Sequence, residues 1–247
     1  MDTIQVPGDL RDRVSDAVRT YWRTRLQQRQ RQAKTGTKDQ GLRGAVTGGA
    51  QMDGFVGLLV SLAKTAGIPE SCIFHNRALE LPGFFRPTKE WDLLVVVQDC
   101  LLAAVEVKSH AGPSFGNNFN NRTEEAMGSA LDLWTAFRAQ TYLKSPAPFL
   151  GYFFMLEDCL ASNHAVAVKE PHFQVDPEFM GASYNRRYEL FCRRLILERQ
   201  YTATAFLTSS KEEGIRGVFR TPADDLSIER FAVAFLGHLR THGTQAC

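Results

Sequence analysis

Three side chains able to support metal-assisted chemistry sit in residues 91–110, WDLLVVVQDCLLAAVEVKSH. Two apolar runs flank the polar break Gln98, Asp99, Cys100, which is the pattern of a β-hairpin. A three-residue loop at the break pairs Val97 with Leu101, Val95 with Ala103 and Leu93 with Val105, and therefore sets Asp92 opposite Glu106. Directly opposed residues share a face with Cβ atoms about 5 Å apart. Lys108, two residues beyond Glu106, falls on that face as well. Opposed carboxylates repel, and each raises the pKa of the other unless a cation lies between them. A hard divalent ion such as Mg²⁺ resolves the conflict, because one or two carboxylates hold it while water and substrate phosphate complete its shell. The chemistry this points to is metal-assisted phosphodiester hydrolysis, with Asp92 and Glu106 as metal ligands and Lys108 handling the attacking water. Two other readings use the same residues. An exposed hairpin end with an ordinary Lys and Glu pair is one; a four-residue loop, which sets Asp92 opposite Val107, is the other.

The flanking sequence supplies the elements that must position this hairpin. Leu10, Val14, Val18, Tyr21, Trp22 and Leu26 recur at helical spacing after Pro7, Gly8 and a candidate N-cap at Asp9. The other face and the C-terminal end of that helix carry Arg11, Arg13, Arg19, Arg23, Arg25, Arg29, Arg31 and Lys34. Solvated surface explains such a face, and its basic tail also suits phosphates. Residues 35–54 hold six glycines without Walker spacing and read as a loop. Phe55, Leu58, Leu59, Leu62 and Ala63 form a second helix ending near Gly67 and Pro69. Asp53 at its start is either a dipole partner or a third metal ligand. Residues 72–88 read as a short irregular strand and a Pro/Gly-rich loop, with Glu80 and Glu90 as weaker acidic candidates. Beyond the hairpin the periodicity predicts a polar loop over 109–122, a helix over 123–142 and a buried strand over 149–156. A helix over 184–200, a strand over 202–208 and a helix over 226–242 complete the chain. This order fits an α/β fold with a mixed central sheet flanked by helices.

Asp92, thirteen residues, then Glu106-Val107-Lys108 resembles the PD-(D/E)xK nuclease signature, with Trp91 where that signature usually has proline. The stretches GAVTGGAQMDGF (44–55) and GPSFGNNFNNRTEEAMGSALDLW (112–134) resemble the XhoI-type restriction endonucleases, over most of the chain and at similar overall length. The resemblance implies the αβββαβ core of that nuclease superfamily and Mg²⁺-dependent cleavage of double-stranded DNA at a short palindrome. By the same resemblance the site is CTCGAG, cut after the first C to leave 5′-phosphate overhangs. A homodimer and a cognate modification methyltransferase are the partners it implies. It also makes the glycine-rich loop a candidate DNA-facing element, the other reading being a plain connector. Asn117, Asn118, Asn120, Asn121 and Arg122 then become candidate DNA contacts, since Asn can bridge adenine N6 and N7, Arg can bridge guanine O6 and N7, and both bind phosphate. Turn chemistry accounts for several of those asparagines equally well. A repair or recombination nuclease with the same core, or an inactive DNA-binding relative, are the competing functions.

Composition bounds the alternatives. A chain of 247 residues suits one domain, divided as an N-terminal helix and glycine-rich loop (1–50) and a nuclease core with additions (51–247). A net charge of +2 confines any basic surface to local patches. Five scattered cysteines without a CxxC suggest neither a disulfide framework nor a zinc knuckle, and with no signal-like N-terminus or membrane-length apolar run the expected location is cytoplasmic. There is no HExxH, GxSxG or Walker motif.

Overall fold

A computed structural model describes residues 4–35 and 50–243. Helix α1 spans Leu10–Thr35 and α2 spans Asp53–Thr65. The strands are β1 (Ile73–Phe74), β2 (Glu80–Pro82), β3 (Thr88–Glu90), β4 (Leu93–Val97), β5 (Cys100–His110), β6 (Phe149–Glu157) and β7 (Ala203–Ser209). Between and after the later strands come α3 (Phe115–Arg138), α4 (Leu160–Asn163), α5 (Tyr184–Leu197), α6 (Lys211–Gly214) and α7 (Ile228–Gly243). A five-stranded sheet has the order β1-β4-β5-β6-β7, antiparallel through β5 and parallel from β5 to β7, while β2 and β3 form a separate hairpin. The mixed sheet flanked by helices is the architecture the sequence predicts.

Two apolar layers enclose the sheet. Leu93, Val95, Val105 and Val107 face α1, α2 and α7, where they meet Trp22, Phe55, Phe231 and Phe235. Leu94, Ala104, Tyr152 and Phe154 face α3 and α5, where they meet Phe115, Leu133, Tyr188 and Leu195. Each large side chain fully buried in these layers contributes about 1.5–3 kcal/mol. Strand β6 is apolar on both faces because helices cover both, as parallel strands at a sheet centre require. At its Gly151 a Cβ would lie 2.9 Å from the Phe149 and Phe231 rings, so the aromatic packing there requires glycine.

The hairpin departs from the expected three-residue loop. Val97 pairs with Cys100, which leaves a two-residue turn of Gln98 and Asp99, both left-handed with φ of 49° and 64°. That is the handedness of hairpin turns matched to strand twist. A register shift between Val95 and Val96 then inserts one extra residue on β5. Leu102 and Ala103 consequently both face the first apolar layer. The bulge restores the pairs expected from sequence, Val95 with Ala103 and Leu93 with Val105.

Two further expectations are corrected. Residues 109–122 do not form a loop throughout: α3 begins at Phe115, because Phe115 and Phe119, one turn apart, pack on Tyr184 and Tyr188 of α5. Residues 72–88 contain an additional strand pair, β2 with β3, that their short alternation hides. The expected glycine-rich loop lies largely outside the described residues. Among the described residues no helix is long and apolar enough to cross a membrane.

A non-glycine residue held in the left-handed region costs about 1–2 kcal/mol. Replacing Gln98-Asp99 by Asn-Gly is therefore expected to raise stability by about 1 kcal/mol, read from the urea midpoint at unchanged m-value.

Candidate active site

Asp92 stands immediately before β4, its backbone N–H donating to the Val105 carbonyl (3.2 Å). Its Oδ2 accepts from the Val107 amide (2.8 Å) and from Lys108 Nζ (2.7 Å). Glu106 projects from mid-β5 into the layer under α3 and α5 and is only 2 % exposed. Its Oε1 is 2.6 Å from Lys89 Nζ, and the Tyr201 hydroxyl lies 3.0 Å from its Oε2 and 3.0 Å from the Ala126 carbonyl of α3. The single Tyr201 proton is thus shared between, or divided among, the carboxylate and the helix.

The three residues singled out by spacing come together, and Lys89 joins them. Lys89 is nearly buried on β3, donates to the Glu90 carbonyl (2.9 Å) and stands 4.3 Å above the Trp91 ring. A buried carboxylate without a cation is strongly disfavoured, so the fourth charge is required by the first three. Charge counting was the available signal: two acids and one lysine leave one negative charge, and Lys89 is the nearest basic residue preceding Asp92. Burial lowers the pKa of Lys108, but Glu106 and Asp92 outweigh it and hold it above the ordinary 10.5. Lys108 is therefore an ammonium at neutral pH, a donor and a positive charge and not a resting base.

Lys89, Glu106 and Lys108 line a polar cleft of about 410 Å³. Arg86, Lys89, Lys108 and Arg122 supply positive charge to its wall, and Glu106, Glu124 and Glu125 negative charge. Among the described residues no group of three or more His, Cys, Asp or Glu gathers as a metal cage. Glu106 lines the cleft directly, and Asp92 adjoins it through Lys108, whose Nζ bonds Asp92 Oδ2 (2.7 Å); carboxylate oxygens beside a polar opening are the donor chemistry of a hard ion that keeps water and phosphate in its shell. Asp53 sits exposed in the first turn of α2, outside this cleft's lining. Glu80 and Glu90 pair with each other across β2 and β3 on the exposed face, opposite to Lys89.

The five candidate DNA contacts lie on the first two turns of α3 and point in different directions. Asn117 and Asn121 are exposed, with no side-chain hydrogen bond among the described residues. Asn120 Nδ2 donates to Glu124 (2.8 Å) and Arg122, in the cleft wall, pairs with Glu125. Asn118 Nδ2 lies 3.2 Å from His110 Nε2, and His110 Nδ1 lies 3.0 Å from the Tyr188 hydroxyl. Burial, reinforced by Arg122 and Arg25, pushes the His110 pKa down to about 4. On α1, Arg11 pairs with Glu229, Arg13 with Asp9 and Arg19 with Asp16, which makes that part of its basic face structural surface.

The family described as restriction endonuclease XhoI matches residues 31–221. The chain is 53% identical over 209 residues to the type II restriction enzyme BstVI of Geobacillus stearothermophilus, covering 83% of this chain and 93% of that protein. It is 51% identical over 160 residues to the type II restriction enzyme XhoI of Xanthomonas vasicola, 64% of each chain. It is 46% identical over 168 residues to the type II restriction enzyme AbrI of Azospirillum brasilense, 68% of this chain and 75% of that one. No solved structure matches.

Lys89→Met is expected to destabilise the fold by about 3 kcal/mol by stranding the Glu106 carboxylate. Lys89→Met/Glu106→Gln should recover most of that loss in a denaturant double-mutant cycle, and its failure to do so would refute the pairing. For His110 the folded pKa is depressed, so its contribution is complete above its ordinary 6.5 and is lost as pH falls through 6.5 toward about 4. Its imidazole resonances should titrate near pH 4, and His110→Gln should flatten the fall in stability over that window.

Proposed function

Since this chain belongs to the XhoI family and is a type II restriction endonuclease, we propose that it hydrolyses duplex DNA at the palindrome CTCGAG. The cut after the first C leaves 5′-phosphate, four-base overhangs. What supports the catalytic assignment is the Asp92 to Lys108 ion pair (2.7 Å) beside the buried Glu106 in a cleft of mixed charge. The similarity to an enzyme named XhoI supports the sequence specificity.

In this reading Asp92 and Glu106 hold Mg²⁺ at the cleft. Bound there, the ion supplies charge neutralisation at the scissile phosphate and an acidified water. Lys108, placed 2.7 Å from Asp92 Oδ2 and on the cleft wall, would donate to the attacking water or to a phosphate oxygen and offset the charge that develops there. The Val107 amide and Lys108 both bond Oδ2 of Asp92, which orients that carboxylate with its other oxygen toward a ligand. Lys89 and Tyr201 each engage one oxygen of Glu106, so Glu106 would ligate an ion through remaining lone pairs or by exchanging Lys89 for it. Arg122 and Arg86 receive the flanking phosphates, and the exposed Asn117 and Asn121 contact the duplex. Asn118 and Asn120, already bonded inside the protein, contact DNA only by exchanging those partners. Recognition and catalysis share one domain, and two copies related by a two-fold axis match the palindrome, each cutting one strand. Host DNA is protected by a cognate methyltransferase, and the enzyme works in the cytoplasm.

Digestion of a long DNA of known sequence with Mg²⁺, followed by sequencing of the fragment ends, tests this. All ends should derive from CTCGAG. Glu106→Ala and Lys108→Ala should each reduce the cleavage rate by at least about 10³-fold while the proteins remain folded. Discrete ends elsewhere would discard the specificity and keep the chemistry; full activity in either variant would discard the site.

A further inference from the structure

The tip of the β2–β3 hairpin presents two adjacent phenylalanines to solvent, Phe84 (55 % exposed) and Phe85 (66 % exposed), packed edge to face on one another at 5.1 Å. The backbone beneath them is held tightly. Asp132 of α3, 3 % exposed, accepts from the Phe84 and Phe85 amides on Oδ1 (2.8 Å each) and from Arg86 Nε on Oδ2 (2.7 Å). Gly83 N–H donates to the Pro87 carbonyl (3.2 Å), and Tyr142 donates to the Pro82 carbonyl (2.8 Å). A Cβ at Gly83 would lie 2.5 Å from Asp132 Oδ2, so the carboxylate and the tip interlock. Water would satisfy the same amides on an unconstrained loop. A buried carboxylate that fixes an exposed tip instead pre-orders two rings that contribute nothing to the core.

The location identifies the occupant. Arg86 follows Phe85 directly and lines the mixed-charge cleft together with Lys89, Glu106, Lys108 and Arg122, so the rings stand at the rim of the cleft in which the reading above places the scissile phosphate. Two phenylalanines bury at most about 150–250 Å² each, far below the roughly 800 Å² per partner of a stable protein interface. One or two apolar side chains suffice to enter a base step and unstack it. We propose that Phe84 and Phe85 form a wedge that inserts into the DNA duplex beside the cleft and opens a base step next to the scissile phosphate. The wedge rests on the duplex-cleaving reading above. Stacking against bases supplies its affinity, and the ease of unstacking a given step adds to sequence discrimination without hydrogen bonds to base edges.

The test uses short duplexes spanning the site read from wild-type fragment ends, with thymine placed at each flanking step in turn and Ca²⁺ replacing Mg²⁺ to hold the strands intact. Permanganate oxidises thymines that have lost their stacking. Wild-type protein should render thymine reactive at one step near the cut. Phe84→Ser/Phe85→Ser should abolish that reactivity and weaken binding 10- to 100-fold, with melting temperature unchanged, while Phe84→Trp/Phe85→Trp should retain both. Wild-type binding with every thymine protected, or a serine variant with wild-type affinity and pattern, overturns the wedge alone. Conversion of the serine variant from dimer to monomer in sedimentation overturns it by assigning the rings to a second copy. Wild-type protein that neither cuts nor retains any duplex overturns the wedge together with the reading it rests on.

Discussion

The pairing of β4 with β5 is the constraint on which everything else depends. Side chains alternate along a strand, so a slip of one residue would exchange the two faces of the longest strand in the sheet. Glu106 would then enter the aliphatic layer among α1, α2 and α7, and Val105 and Val107 would face α3 and α5. The two-residue turn at Gln98 and Asp99 would by itself impose that slip relative to the observed strand ends. The bulge at Leu102 cancels it, so turn and bulge together act as a three-residue connection for everything beyond Val95. The register is over-determined by the apolar layers, which supports left-handed backbone at two non-glycine turn positions.

Charge balance is the second level of organisation. Asp92 and Glu106, opposed on one face, are each met by a lysine, Lys108 and Lys89 respectively. These four charges thus balance one another within the protein's own side chains. Lys89 is anchored elsewhere as well, by the Glu90 carbonyl and the Trp91 face. Tyr201 adds a mechanical link, because one hydroxyl touches both Glu106 and the backbone of α3 at Ala126.

Much of this was legible in the sequence where a strong periodicity met a single competing signal. Strand β6 and helices α1, α2, α5 and α7 fall within a few residues of their expected bounds, because long apolar repeats are read directly. The shared face of Asp92, Glu106 and Lys108 followed from alternation alone, and a wrong loop length did not spoil it because the bulge compensated. The start of α3 was hidden by Gly112, Pro113 and four asparagines, all of which favour turns locally; the contacts of Phe115 and Phe119 with α5 override them, and those contacts are not local. Lys89 was missed for a related reason: β2 and β3 have three residues each, too few for alternation to show which way a side chain points.

Helix α3 divides its labour between its sides. One side is committed: Asn118 to His110, Arg122 to Glu125, the Ala126 carbonyl to Tyr201, and Asp132 to the hairpin tip. On the exposed stripe, Asn117 and Asn121 carry no side-chain bond to the described residues. Substitutions along that stripe therefore cost little in folding, whereas substitutions on the committed side disturb core, carboxylate and hairpin together. A single element thus carries two tolerances, one flank able to present new side chains at little cost to folding and the other bound into the rest of the protein.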